Sequence, residues 1–210
     1  QRQAQRNHAG HDAKLRKSPG EDGHKKMTDA VEVRRATEDE IAEIWQLTHD
    51  EYLRRGFIDK QPGGVFSHYS HLEWTPETTQ LVAIVDGDLI GTCTYTMDGA
   101  RKLHTDVDHP KETELIRKLG IPLVSVWRIV VDRRFRESHK VSQELMRATA
   151  RELMDRGEPI LLMTCHPRHA MYYTRRLGFQ ALANKDQSDG LKHAPSALMV
   201  GGPGSYSRIC

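Results

Sequence analysis

Three groups of residues in this chain have the chemistry and the spacing to act on a substrate. The run His166-Pro167-Arg168-His169 sets two imidazoles around a proline that can open a helix. An imidazole has the intrinsic pKa for proton transfer near neutrality, so His166 is a candidate base at a strand end, or a polar residue at a helix entry. No third ligand stands at a metal-binding spacing from the two histidines, so no metal is expected. Arg128 lies inside the apolar run Val124 to Val131, where a guanidinium is costly unless paired. Its partner is either the carboxylate of an acceptor or an internal Asp or Glu that shapes the site. Arg133, Arg134, Arg136, His139 and Lys140 follow that run as a basic cluster at a helix start. Cations beside the orphan amides of a helix N-terminus suit a phosphate, such as that of an acyl-thioester carrier. The same residues could also be a solvated turn.

These residues need a frame. Val31 to Arg34 alternates and reads as a strand. Thr37 and Glu40 make a capping box, and Ile41, Ile44, Leu47 and Thr48 recur at helical spacing up to about Arg54, where Gly56 stops the helix. Residues 59–79 form a long loop that carries His68, Tyr69, His71 and Trp74, of the kind that lines or covers a site. Gln80 to Val85, Asp86-Gly87 and Asp88 to Met97 form a hairpin, because Asp-Gly supplies the positive φ of a tight turn. A polar insert spans residues 98–122, with a short helix near Thr113 to Leu119. Val124 to Val131 is an apolar strand. Val141, Leu145, Ala148 and Leu153 mark one face of the next helix. Ile160 to Thr164 is a buried strand, Arg168 to Leu177 a helix, and residues 194–200 a last strand. The expected class is α/β (α+β): a mixed sheet with helices on both faces.

Composition bounds the answer. The 210 residues suffice for one domain with a real core, and the net charge of +2 is too small to imply a nucleic-acid partner. Residues 1–28 carry seven Lys/Arg against three acidic residues and only Leu15 and Met27 as large apolar side chains. That segment reads as a disordered basic leader, or as an arm touching a membrane surface, and Met27 is a candidate translation start. Residues 29–201 are expected to form the domain and 202–210 a flexible tail. No apolar run is long enough to span a bilayer, and no signal peptide is visible. Cys93, Cys165 and Cys210 are odd in number and lack metal or redox spacing, so a reducing cytoplasm is the expected setting.

The order of elements, the strand VWRIVVD, the helix VSQELMRATARELM and the ending RRLGF together resemble the GNAT acyltransferase superfamily over roughly residues 31–200. Within it the chain is most similar to the N-acyl amino acid synthase branch, related to acyl-homoserine-lactone synthases. HDEYLRRGFID, LVAIVDGDLIGTCTY, the insert before the fourth strand, and HPRHAMYYTRRLGF carry that likeness. The resemblance implies a GNAT-like, mostly antiparallel sheet. It implies transfer of a fatty acyl group from a phosphopantetheine thioester to the amine of an amino acid, with no permanently bound cofactor. It makes Tyr173 the candidate acid for the leaving thiolate, although Tyr173 is six residues before Phe179 and Thr174 holds the usual spacing of five. It also points to backbone amides near Val130 and Val131 as the oxyanion site.

Two departures matter. Ordinary GNAT acetyltransferases have glycines after the fourth strand that let backbone amides close on the coenzyme A pyrophosphate. Here His139 and Val141 occupy those places. A crowded cradle favours acyl carrier protein over acyl-CoA as donor. Where the synthase branch has Glu-x-Ser-Arg on that strand, this chain has Ser125-Val126-Trp127-Arg128, so only the arginine remains. A CoA-dependent N-acetyltransferase and a catalytically silent GNAT-like binding domain are the alternative readings.

Overall fold

The computed structural model describes residues 30–137, 139–189 and 191–210. The leader expected over residues 1–28 therefore lies outside the described residues. Seven strands form one sheet: β1 (Glu32–Arg35), β2 (Thr78–Val85), β3 (Asp88–Met97), β4 (Leu123–Val131), β5 (Ile160–Cys165), β6 (Gln180–Lys185) and β7 (Ser196–Gly201). Their spatial order is β1-β2-β3-β4-β5-β7-β6. Every neighbouring pair is antiparallel except β4 with β5.

Side-chain alternation sends each strand's apolar residues to two faces. Leu81 and Ala83 of β2 join Val141 and Leu145 of α4 (Lys140–Met154), while Val82 between them joins Ile44 and Leu47 of α1 (Ile41–Arg54). Leu161 and Leu162 of β5 divide in the same way. Helix α5 (Pro167–Leu177) packs on the α4 side through Leu177, and α3 (Pro110–Arg117) lies on the other through Ile116. Local signals behave as their chemistry requires. Glu40 accepts the Thr37 amide at 2.8 Å ahead of α1, and Asp86 (φ 53°) with Gly87 (φ 81°) turns the β2–β3 hairpin.

The polar insert is two helices, α2 (Thr105–Asp108) and α3, fastened by Arg117. That guanidinium holds Asp98 at the end of β3 and Asp106 of α2, each at 2.7 Å. Two expectations change. Residues 180–185 form a strand that hydropathy did not mark, because an edge strand with mostly exposed side chains has no apolar alternation to display. The expected loose tail is instead α6 (Pro203–Ile209), whose Tyr206 and Ile209 enter the core and whose Tyr206 hydroxyl donates to the Pro159 carbonyl at 2.6 Å. Gly202-Pro203, where the tail was expected to begin, is a helix start, with proline at a position that needs no amide donor.

Candidate functional site

The site begins as a fault in the sheet. β4 and β5 pair only from Leu123↔Ile160 to Val126↔Met163 and then separate. The cause sits at Arg128, which takes a left-handed backbone (φ 51°). Against β3, Trp127 lies opposite Thr94 and Val130 opposite Thr92, so Arg128 and Ile129 face the single Cys93. That bulge bends β4 away from its parallel neighbour. The gap opens into a cavity of about 480 Å³ whose inner wall is apolar, with Val126, Ile129, Met146 and Met163. A smaller apolar recess shares those four residues and reaches Phe179 and Ile209 of α6.

The peptide at the edge of the gap is open. Asp132 donates its amide to the Ile90 carbonyl at 2.8 Å across β3. Alternation along an extended strand then turns the Val131 peptide the other way, toward the gap, and its carbonyl accepts from Arg136 at 3.0 Å. The Val130 peptide is turned back to β3, paired with Thr92. Of the two expected oxyanion residues, only Val131 has its amide aimed at the cavity.

Arg128 meets an internal carboxylate. Its side chain and that of Glu73 are 0% and 1% exposed and form an ion pair. Gln80 donates to the same carboxylate at 3.1 Å and Ser67 at 2.8 Å, and the Trp127 ring lies 4.6 Å from the guanidinium carbon. Burial pushes the guanidinium down to about 10, still far above neutrality, so the pair is charged. The long loop thus supplies the partner that the strand position demanded.

Tyr173 lines the cavity from α5, edge-on to Phe179 at 6.0 Å. Burial raises its phenol well above the usual range, so the hydroxyl is protonated at neutral pH, and no hydrogen bond engages it among the described residues. His166 also lines the cavity, but its Nδ1 accepts the Arg168 amide at 3.2 Å as the N-cap of α5. The neutral ring then carries its proton on Nε2, which leaves no lone pair there for a base. Burial, with Arg168 nearby, lowers both His166 and His169. Cys165 faces the cavity with its thiol pushed up to about 11 by burial, so it is not a thiolate nucleophile.

The basic cluster is divided. Arg134 is held by Asp132 at 2.7 Å, and Arg136 by Glu51 at 2.5 Å. Arg136 and His139 line the cavity, whereas Val130, Arg133, Arg134 and Lys140 do not. Arg133 and Lys140 are exposed beside the mouth. His139 sits at the N-cap of α4 in a left-handed conformation (φ 53°). Val141 instead turns into the core, where a Cβ on Gly91 would come within 3.0 Å of it. Of the two residues standing in for glycines, His139 alone crowds the outer face.

Further residues complete the lining. Arg55 ends α1 at the mouth, and His68 and Tyr69, stacked at 4.0 Å, come from the long loop whose aromatic and histidine content had marked it. Across from them, three hydroxyl residues line the cavity, each backed by a buried group from the α2 region. His104 Nε2 is 3.3 Å from Thr164 Oγ1, Ser188 Oγ donates to Asp108 at 2.7 Å, and His109 Nε2 is 3.0 Å from Ser196 Oγ. Only pairing across distant segments creates this wall, so no local signal could announce it. Among the described residues no cluster of metal-binding side chains occurs, and no helix is long and apolar enough to cross a membrane.

The sequence profile of the family described as N-acyl amino acid synthase FeeM matches residues 43–201. No curated protein sequence matches the chain. Among solved structures, FeeM, an N-acyl amino acid synthase from uncultured soil microbes, aligns at a TM-score of 0.73 and 18% identity, covering 84% of this chain and 93% of that one. A GNAT-family acetyltransferase from Streptococcus pneumoniae aligns at 0.57 and 16% identity, over 82% of this chain and 99% of that one. An acyl-CoA N-acyltransferase from Pseudomonas aeruginosa aligns at 0.53 and 17% identity, over 81% and 97%. At such identities the structural matches establish the GNAT-like fold, as the order of elements implied.

Proposed function

The chain belongs to the FeeM family of N-acyl amino acid synthases, acyltransferases to amino acid amines, and on that premise we propose that its donor is an acyl carrier protein thioester. The observation that carries the proposal is His139. It places an imidazole and a left-handed, non-glycine backbone at the helix N-cap where a diphosphate would need open amides. A single phosphate on a pantetheine arm demands less of that turn. Arg133 and Lys140 are exposed beside it and suit the acidic face of a carrier protein.

In this reading the acyl chain lies along Val126, Ile129, Met146 and Met163, and the thioester carbonyl faces the Val131 amide. The neutral amine attacks that carbonyl directly, since Cys165 is no thiolate. The Val131 amide stabilises the oxyanion, a contribution of roughly 2.7–4 kcal/mol for a well-placed donor. Tyr173, held protonated by burial, donates a hydrogen bond to the departing sulfur. Arg128 shapes the acceptor side through Glu73 rather than gripping the amino acid itself. Three free thiols fit a reducing cytoplasm. Mass spectrometry of lipids from cells expressing the chain is the test. New N-acyl amino acids are expected, and their absence with folded protein present would overturn the reading.

A further inference from the structure

Forming an amide from an amine requires somewhere for a proton to go, and the strand carboxylate that the family resemblance suggests is replaced by Ser125, buried with its hydroxyl unpartnered among the described residues. The wall built from the α2 region offers three substitutes. His104 is pushed down to about 3 by full burial, too weak a base to help. Asp108 is committed to structure, since it accepts the Ser188 hydroxyl on one oxygen and the Asp189 amide on the other, each at 2.7 Å, and thereby anchors the segment before β7. His109 remains. Among the described residues its Nε2 hydrogen-bonds with the Ser196 hydroxyl, and Ser196 lies on the cavity.

We propose that Ser196 and His109 form the proton-accepting pair for the attacking amine, with Ser196 touching the substrate and His109 acting through it. This rests on the acyltransfer reading above. The amine nitrogen bonds to the thioester carbonyl carbon and becomes positively charged. Its proton passes to Ser196 Oγ as the Ser196 proton passes to His109 Nε2. The carbon–sulfur bond breaks, the thiolate takes a proton from solvent or through Tyr173, and the imidazolium returns its own to solvent. The balance is one amide and one thiol from one amine and one thioester.

The surroundings of His109 suit the role. Burial lowers it, while the charges of Asp108 on α2 and Glu112 on α3 oppose that, Lys185 on β6 adds to the lowering, and Asp189 in the segment before β7 opposes it. The outcome is an imidazole that is neutral, and so able to accept, at neutral pH. The pair also explains why the insert is bolted so firmly to β3 by Arg117: a relay tolerates little drift between its partners.

The test uses the full chain with two variants, Ser196→Ala and His109→Gln. Glutamine can still accept the Ser196 hydrogen bond but cannot take its proton, which separates holding from relaying. Both variants are expected to lose about a hundredfold in kcat with the melting temperature and the donor KM little changed. On the acid side, log kcat/KM of the wild type falls with two ionisations, those of amine and His109, and in His109→Gln with the amine's alone. Hydroxylamine, a stronger nucleophile that sheds its proton readily, is expected to be acylated by both variants at near wild-type rates. Folded variants that keep wild-type kcat and pH profile would overturn the pair. A wild-type chain that makes no N-acyl amino acid would instead overturn the function on which it rests.

Discussion

Arg128 and Glu73 face each other across the bulge of β4 and the long loop, in a pair whose side chains are 0% and 1% exposed. The left-handed backbone at Arg128 both opens the β4–β5 gap and aims its guanidinium at the loop, so one residue joins the cleft to the wall that closes it. Removing one partner leaves the other charged and buried. Arg128→Ala is expected to lose about 3–5 kcal/mol of stability, read by chemical denaturation. Arg128→Lys recovers little, because an ammonium cannot reproduce the fork that meets a carboxylate. An acceptor KM raised more than tenfold with stability intact would return Arg128 to the role of substrate anchor.

Tyr173→Phe keeps the ring against Phe179 and removes only the hydroxyl. The fold is expected to survive and kcat to fall by roughly ten- to a thousandfold, within the range of general-acid contributions. Single-turnover kinetics with a fixed donor measures this. An unchanged rate assigns the leaving-group proton to solvent.

The start of α1 carries a pH dependence of stability. Arg34 beside Glu40 holds that carboxyl down at about 2, against an ordinary value of 4.5. A depressed carboxyl stabilises the fold above its unfolded value, and that contribution is lost as pH falls from about 4.5 toward 2. Denaturation curves between these limits are expected to flatten in Glu40→Gln relative to wild type. Parallel pH profiles for the two proteins would show the pair to be inert.

Helix α6 lies beyond the family match, which ends at residue 201, yet it closes the core. Tyr206 is fully buried and its hydroxyl bonds the Pro159 carbonyl at 2.6 Å. Tyr206→Ala is expected to cost about 3–5 kcal/mol, as for other large aromatic truncations, and Tyr206→Phe about 1 kcal/mol. A Tyr206→Ala protein as stable as wild type would mean that α6 is only lightly docked.

The frame was legible where residues carry local chemistry. Thr37 with Glu40, Asp86-Gly87 and the apolar run from Val124 announced a helix start, a hairpin and the central strand. Arg128 announced a hidden partner, because a cation in an apolar strand demands one, but not that the partner is Glu73, 55 residues away. Strand β6 and helix α6 escaped for opposite reasons: one buries too little to show a period, the other hides two core side chains behind Gly-Pro-Gly. Helical spacing had already put Val141 on the apolar face of α4, and it packs in the core, so of the two residues in the glycine places only His139 lies on the cavity. The hydroxyl wall of Thr164, Ser188 and Ser196 is a product of tertiary pairing alone.

The central claim is the donor, and its most direct measurement is kcat/KM for one acyl chain presented on acyl carrier protein and on coenzyme A, with the wild type and with Arg133→Glu/Lys140→Glu. Glutamate at the first position of α4 suits the helix dipole, so the double reversal is not expected to harm the fold. Acyl carrier protein is expected to be clearly preferred, its advantage to shrink with added salt, and the reversal to hurt the carrier reaction more than the coenzyme A reaction. Comparable efficiency with acyl-CoA, insensitive to salt and to both reversals, would contradict the account.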